Sequence, residues 1–222
     1  MLFGSSRYAQ FRGAGFTAGF VVLLWASSVE AVPMGTDWTA VTATTAVGTL
    51  DGISVSVDGL AREGGPDLLI SLRDLSAPPY SGAPLAAAEV ITYGGGISDW
   101  TATFGQAISN LRLYLRLWRG DIGSQSGDVF SYAFDQPFTV LSGLEDAAIS
   151  GNTITLADTP TPFHQGIIQF TGPISMLTVD VTTAASPFSS DQDFTFGVVP
   201  EPSTGVLTLL GFAALCRRGR RA

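Results

Sequence analysis

The sequence predicts an all-β protein, and within that class an antiparallel β-sandwich of the jelly-roll type. The strongest sign is a run in which Leu111, Leu113, Leu115 and Leu117 alternate with polar and aromatic residues. Leucines two positions apart cannot share one face of a helix, so this run is predicted to be a strand whose leucine face enters the core. Turn signals of Gly, Pro and Asp separate about a dozen strand-like runs, and no period of 20 to 50 residues indicates a repeat protein.

The other predicted strands are shorter. Ile53, Val55 and Val57 alternate with polar residues, and Phe130, Tyr132 and Phe134 fall on one side of a second run further along the chain. The glycine run at 94–96 separates two strands and is either a hairpin connection or a bulged corner. The remaining predicted strands cover residues 67–75, 88–93, 97–104, 138–141, 147–149, 153–156, 166–170, 174–182 and 193–198.

The N-terminus has the three regions of a secretory signal peptide. Arg7 and Arg12 precede an apolar stretch at residues 14–25, and small or β-branched residues follow up to Ala31. We therefore expect residues 1–31 to be a signal peptide that signal peptidase removes after Ala31. An uncleaved N-terminal anchor is the alternative, but the apolar stretch is shorter than the roughly 20 residues that a membrane span needs.

The C-terminus combines a proline-rich motif, a short apolar run and a basic end. The apolar run, residues 204–215, would span about 18 Å as a helix, against about 30 Å of bilayer hydrocarbon. The arginines that follow favour the cytoplasmic side of the membrane. Proline fixes φ, so the motif stays extended. The motif consists of Pro200, Glu201, Pro202 and Ser203, and the basic end contains Arg217, Arg218, Arg220 and Arg221.

In these three features, residues 198–222 resemble the PEP-CTERM sorting domain of exosortase substrates. The resemblance implies that a membrane-embedded exosortase recognises the Pro-Glu-Pro motif and removes the tail. It also implies export in a Gram-negative-type bacterium, to the cell envelope, the outer surface or an extracellular matrix of polysaccharide and biofilm. An ordinary C-terminal transmembrane anchor is the alternative reading of the same tail.

Between the two ends, residues 32–197 are predicted to form one β-sandwich domain. From residue 32 to residue 202 there are 18 Asp and Glu but five Arg and no Lys, a difference of 13 negative charges. Such an acidic domain lacks the clustered cations that bind nucleic acid. The single cysteine, Cys216, lies in the tail, so the domain contains no disulfide.

Few residues indicate chemistry, and the sequence predicts no catalytic residue. His164 is the only histidine and is expected in a proline-rich loop, and no Gly-x-Ser-x-Gly turn presents a nucleophile. One imidazole without cysteine ligands does not make a zinc site. Acidic turns could supply oxygen ligands to a structural Ca²⁺, although solvated turn acids explain them as well. These candidate ligands are Asp121, Asp128, Asp191 and Asp193.

Tyr114 and Trp118 are the candidate ligand platform, because they alternate with the leucines and should lie opposite the core face. Packing under a loop is the alternative. Three functions remain open. The leading expectation is a non-enzymatic surface or matrix protein that associates with exopolysaccharide. A carbohydrate-binding module, with or without calcium, is the alternative, and a polysaccharide hydrolase or lyase comes third.

Overall fold

The computed structural model describes residues 32–60, 68–80, 85–94, 99–119, 129–157, 163–183 and 191–199. The predicted signal peptide and the sorting tail from Pro200 onward lie outside these residues. Within the described ranges, no helix has the length and apolar character to cross a membrane.

The described residues form fifteen β-strands in two antiparallel sheets, which confirms the predicted all-β sandwich. The first three strands precede Ile53 and were not predicted from the sequence. The strands are β1 (Met34–Gly35), β2 (Asp37–Val41), β3 (Thr45–Leu50), β4 (Ile53–Asp58), β5 (Leu69–Leu75), β6 (Leu85–Gly94), β7 (Trp100–Ile108), β8 (Arg112–Arg119), β9 (Val129–Phe134), β10 (Phe138–Gly143), β11 (Ala148–Ser150), β12 (Thr153–Ala157), β13 (Phe163–Phe170), β14 (Ile174–Thr183) and β15 (Asp191–Val198).

The strand order is that of a jelly roll. One sheet has the order β10-β13-β8-β15-β6-β5, with β1 paired to β15, and the other has the order β11-β12-β9-β14-β7-β4-β3-β2. From β6 to β9, and again from β12 to β15, the chain changes sheet at every step. This interleaving of two Greek keys defines the jelly roll. Because β6 and β7 lie in different sheets, the glycine-rich connection between them is not a hairpin.

The main core lies between the two sheets and is rich in aromatic rings. Trp100 of β7 stacks on Phe194 of β15 with ring centroids 5.1 Å apart, and Phe104 meets Phe196 edge to face at 5.2 Å. Leu111, Leu113 and Leu115 are fully buried in this core, which confirms the predicted direction of the leucine face. The last strand of the fold therefore provides the centre of the core.

A second apolar cluster covers the outer face of the seven-stranded sheet. Tyr114 alternates with the core leucines and so points to this outer face, where its ring lies 6.4 Å from the ring of Tyr80. The Tyr80 hydroxyl donates to the carbonyl oxygen of Leu115 at 3.0 Å. This bond holds the chain that follows β5 over the sheet. The cluster comprises Leu75, Tyr80, Leu85, Ala88, Val90, Tyr114 and Ile167.

One end of the sandwich carries the C-terminus of β15, and we call it the exit end. Asp51 and Asn110 have positive φ values of 51° and 55° there, which allow the chain to reverse within two or three residues. Short turns at this end comprise residues 51–52, 109–111 and 171–173. The opposite end lies about 23 Å away along β15. Strand ends that meet there border residues 61–67, 95–98, 120–128, 158–162 and 184–190.

Candidate functional site

The first candidate site is the point at which β15 leads into the predicted sorting motif. Val198, the last residue of β15, pairs with Met34 of β1, and Gly197 pairs with Gly35. The amide of Thr36 donates to the carbonyl oxygen of Phe196 at 2.9 Å. The backbone is therefore held by strand pairing up to Val198, two residues before Pro200.

Gly197 shows how tightly this exit is packed. A Cβ at this position would lie 2.7 Å from Cε2 of Tyr114 and 3.1 Å from the carbonyl oxygen of Met34. Real Cβ atoms rarely approach a neighbour so closely, and the Tyr114 ring is itself held under Tyr80. Only glycine lets β15 pass between the ring and β1 without displacing either.

Trp38 fastens the N-terminal segment to the same strand. Its backbone N–H donates to Oε2 of Glu89 at 2.7 Å, and its indole Nε1–H donates to Oγ1 of Thr195 at 3.3 Å. Its ring centroid lies 6.4 Å from that of Phe194 and 6.3 Å from that of Phe196. The two ends of the described domain are thus joined by backbone pairing, side-chain hydrogen bonds and ring packing.

A groove of about 600 Å³ lies beside β1 at the exit end. Leu72 of β5 is 67% exposed at its wall, and Val32, the first described residue, is 76% exposed. Two carboxylates, of Asp37 and Glu89, line the groove as well. Its apolar lining is formed by Val32, Pro33, Leu72, Leu85, Ala86, Ala87 and Ala88. Sequence patterns did not indicate this groove, because its residues come from separate segments of the chain.

The outer face of the same sheet also contains a buried carboxylate. Asp193 of β15 is 0% exposed, and Oδ2 of its carboxylate accepts from Nε of Arg73 at 3.1 Å and from Nη1 of Arg116 at 2.5 Å. The hydroxyl of Thr92 donates to Oδ1 at 2.6 Å. The two guanidinium groups are partly exposed, with 36% and 28% of their side chains accessible. This cluster links β5, β6, β8 and β15 across the sheet.

The structure describes the side chain of only one of the four predicted calcium ligands. Asp193 is committed to two arginines and a threonine, which leaves its carboxylate no room for a cation, so its assignment as a calcium ligand is wrong. The side chain of Asp191 lies outside the described residues, as do Asp121 and Asp128 entirely. Across the described ranges, no three Asp, Glu, His or Cys side chains are grouped as metal ligands would be.

The predicted ligand platform is corrected at Tyr114, which is 1% exposed. Its ring packs under Tyr80, so the alternative of packing beneath a connecting segment holds here. Burial raises the pKa of Tyr114, and the neighbouring Arg112 partly offsets this rise. Trp118 pairs with His164 through its backbone, while its side chain lies outside the described residues. The alternation along β8 did not predict the burial of Tyr114, because this sheet carries apolar clusters on both faces.

His164 lies in strand β13 and not in the predicted loop. It is 4% exposed and pairs with Trp118 of the neighbouring strand β8. Its side chain is therefore enclosed by neighbouring residues near the start of β13.

The predicted sorting residues, Pro200 to Ser203 and the four C-terminal arginines, lie outside the described residues. They are covered by a comparison of the sequence with known families. Residues 198–221 match the PEP-CTERM protein-sorting motif. No curated protein and no solved structure matches the chain. The matched segment begins at Val198, so the motif overlaps the last residue of the folded domain.

Proposed function

Because residues 198–221 carry the PEP-CTERM motif, which marks exported exosortase substrates of the Gram-negative cell envelope, we propose that this chain is a non-enzymatic surface or matrix protein. In this proposal the processed domain associates with extracellular polysaccharide of the biofilm. The observation that carries it is the direct succession of a closed β-sandwich and a sorting motif, with Val198 belonging to both.

The N-terminal part of the proposal is removal of residues 1–31 by signal peptidase. The first residue after that cleavage, Val32, is 76% exposed and lies two residues before β1. A peptidase at the membrane could therefore reach this bond without unfolding the sandwich.

The non-enzymatic role is supported by where the reactive side chains lie. Asp193 is a buried carboxylate that two arginines neutralise, and His164 is enclosed within a sheet. A general acid or base has to reach its substrate through a hydrogen bond or one water molecule. Both groups are buried among the described residues, which supports a role in packing the sheet.

The proposal is tested by the location of the processed protein in cells with and without extracellular polysaccharide. We expect the protein to remain in the matrix fraction of producing cells and to appear in the medium when polysaccharide synthesis is deleted. The purified processed protein should sediment with isolated polysaccharide and release no reducing sugar from it. Equal retention in both strains would contradict matrix association, and release of reducing ends would replace it with a hydrolase.

A further inference from the structure

We propose that the groove beside β1 is a docking surface for the exosortase itself. The proposal rests on the processing function above and adds a second contact to it. In this view the enzyme reads the Pro-Glu-Pro motif and also the folded end of the domain from which that motif emerges.

The sorting motif begins very close to the folded domain. The domain is held by β1 pairing up to Val198, and Pro200 follows two positions later, with only Val199 between them. Two fully extended residues span at most about 7 Å. An enzyme bound at Pro200 is therefore in contact with the exit end of the folded domain, because so short a connection leaves no space between them.

The groove itself lies beside the exit of the motif. The groove is lined by Gly35 and Thr36, the residues next to Gly197 and Phe196 of β15. Neighbouring strands lie about 4.8 Å apart, so the groove begins about one strand spacing from the exit of the motif. A Cβ on Gly35 would meet Leu85 of the groove at 3.4 Å, which shows how closely β1 borders it. Any protein surface that surrounds the motif reaches this groove.

The lining of the groove also suits a membrane-embedded partner. The groove is mainly apolar, and Leu72, with 67% of its surface exposed, contributes an aliphatic side chain to its wall. Glu89 is held in place by the backbone N–H of Trp38, so the groove also presents a fixed carboxylate. A membrane-embedded enzyme presents apolar and aromatic side chains near the membrane–water interface. Such a surface complements the apolar lining of the groove.

The test compares two exposed apolar residues in the full-length precursor. Leu72→Glu places a charge in the groove, and Met176→Glu places the same charge on β14 of the other sheet, at a side chain that is 52% exposed. Both sites are exposed, so neither change should unfold the domain. We expect Leu72→Glu to slow removal of the tail about tenfold, the effect of losing one good interface contact. Met176→Glu should be processed at the wild-type rate.

The rate is measured by pulse-chase conversion of precursor to processed protein, and thermal unfolding of both variants confirms folding. Ala86→Glu, at a second exposed groove position, should slow processing as well. Wild-type rates for both groove variants would overturn the proposal while leaving the motif's own role intact. In cells without exosortase, the precursor keeps its tail. If Leu72→Glu changes the stability of this precursor but not that of the tail-less protein, the chain's own tail fills the groove. That result would also overturn the proposal.

Discussion

Replacing Asp193 by Asn should destabilise the domain by about 3 kcal/mol. Its carboxylate is fully buried and accepts three hydrogen bonds, from Arg73, Arg116 and Thr92. Removing one partner of a buried ion pair costs about 3 to 5 kcal/mol, because the charge left behind has lost its counter-ion. Here the two arginines are partly exposed and regain some hydration, which places the expected cost at the lower end of that range.

The assay is thermal unfolding of the processed protein, monitored by circular dichroism. For a domain of this size, 3 kcal/mol corresponds to a melting temperature lowered by about 6 to 12 °C. Asp58→Asn is the matched control, because Asp58 makes an exposed hydrogen bond with Thr45 at 2.9 Å. That substitution should change stability by less than about 0.5 kcal/mol. A loss at Asp193 no larger than the control's would refute the reasoning that this buried cluster holds the sheet together.

Three further predictions concern the exit end, the buried tyrosines and the N-terminus. Gly197→Ala should destabilise the domain by about 1 to 3 kcal/mol in urea unfolding. Gly35→Ala should cost less, because a Cβ there has an ordinary contact at 3.4 Å. Equal effects of the two substitutions would contradict the packing at the exit. Burial raises the pKa of Tyr93, Tyr114 and Tyr132, so the folded state keeps protons that the unfolded state releases above about pH 10. Stability should be constant from pH 7 to about 9.5 and fall above that, and a flat profile to pH 12 would count against buried tyrosines. Intact-mass analysis of exported protein should place its first residue at Val32, and retention of residues 1–31 would indicate an anchor instead.

The sequence predicted the fold where one face of a strand is clearly apolar. Leu111, Leu113 and Leu115 showed the period of a strand and are all buried. Strands β1 to β3 were missed because they are rich in Thr, Ala and Gly, and two of the three buried residues of β3 are Ala46 and Gly48. Such a segment has little hydrophobic periodicity, and its strand structure depends on partners that are distant in sequence.

Prediction of the site failed where burial depends on the tertiary structure. Tyr114 was expected on an exposed face, but the segment containing Tyr80 folds back over that face and covers it. Asp193 resembled a turn acid, and its partners Arg73 and Arg116 are 120 and 77 positions away along the chain. Local spacing contains no information about such contacts. The sorting motif was recognisable because its residues are contiguous.

The measurement that tests the sorting function most directly is the fate of a variant in which Pro200, Glu201 and Pro202 are all alanine. This change keeps the apolar run and the arginines, and it favours a longer helix, because proline costs about 3 kcal/mol within one. A simple membrane anchor would tolerate it. We predict that the full-length precursor accumulates in the inner membrane, as it should when the exosortase is deleted. Release of tail-less protein at the normal rate would contradict the account.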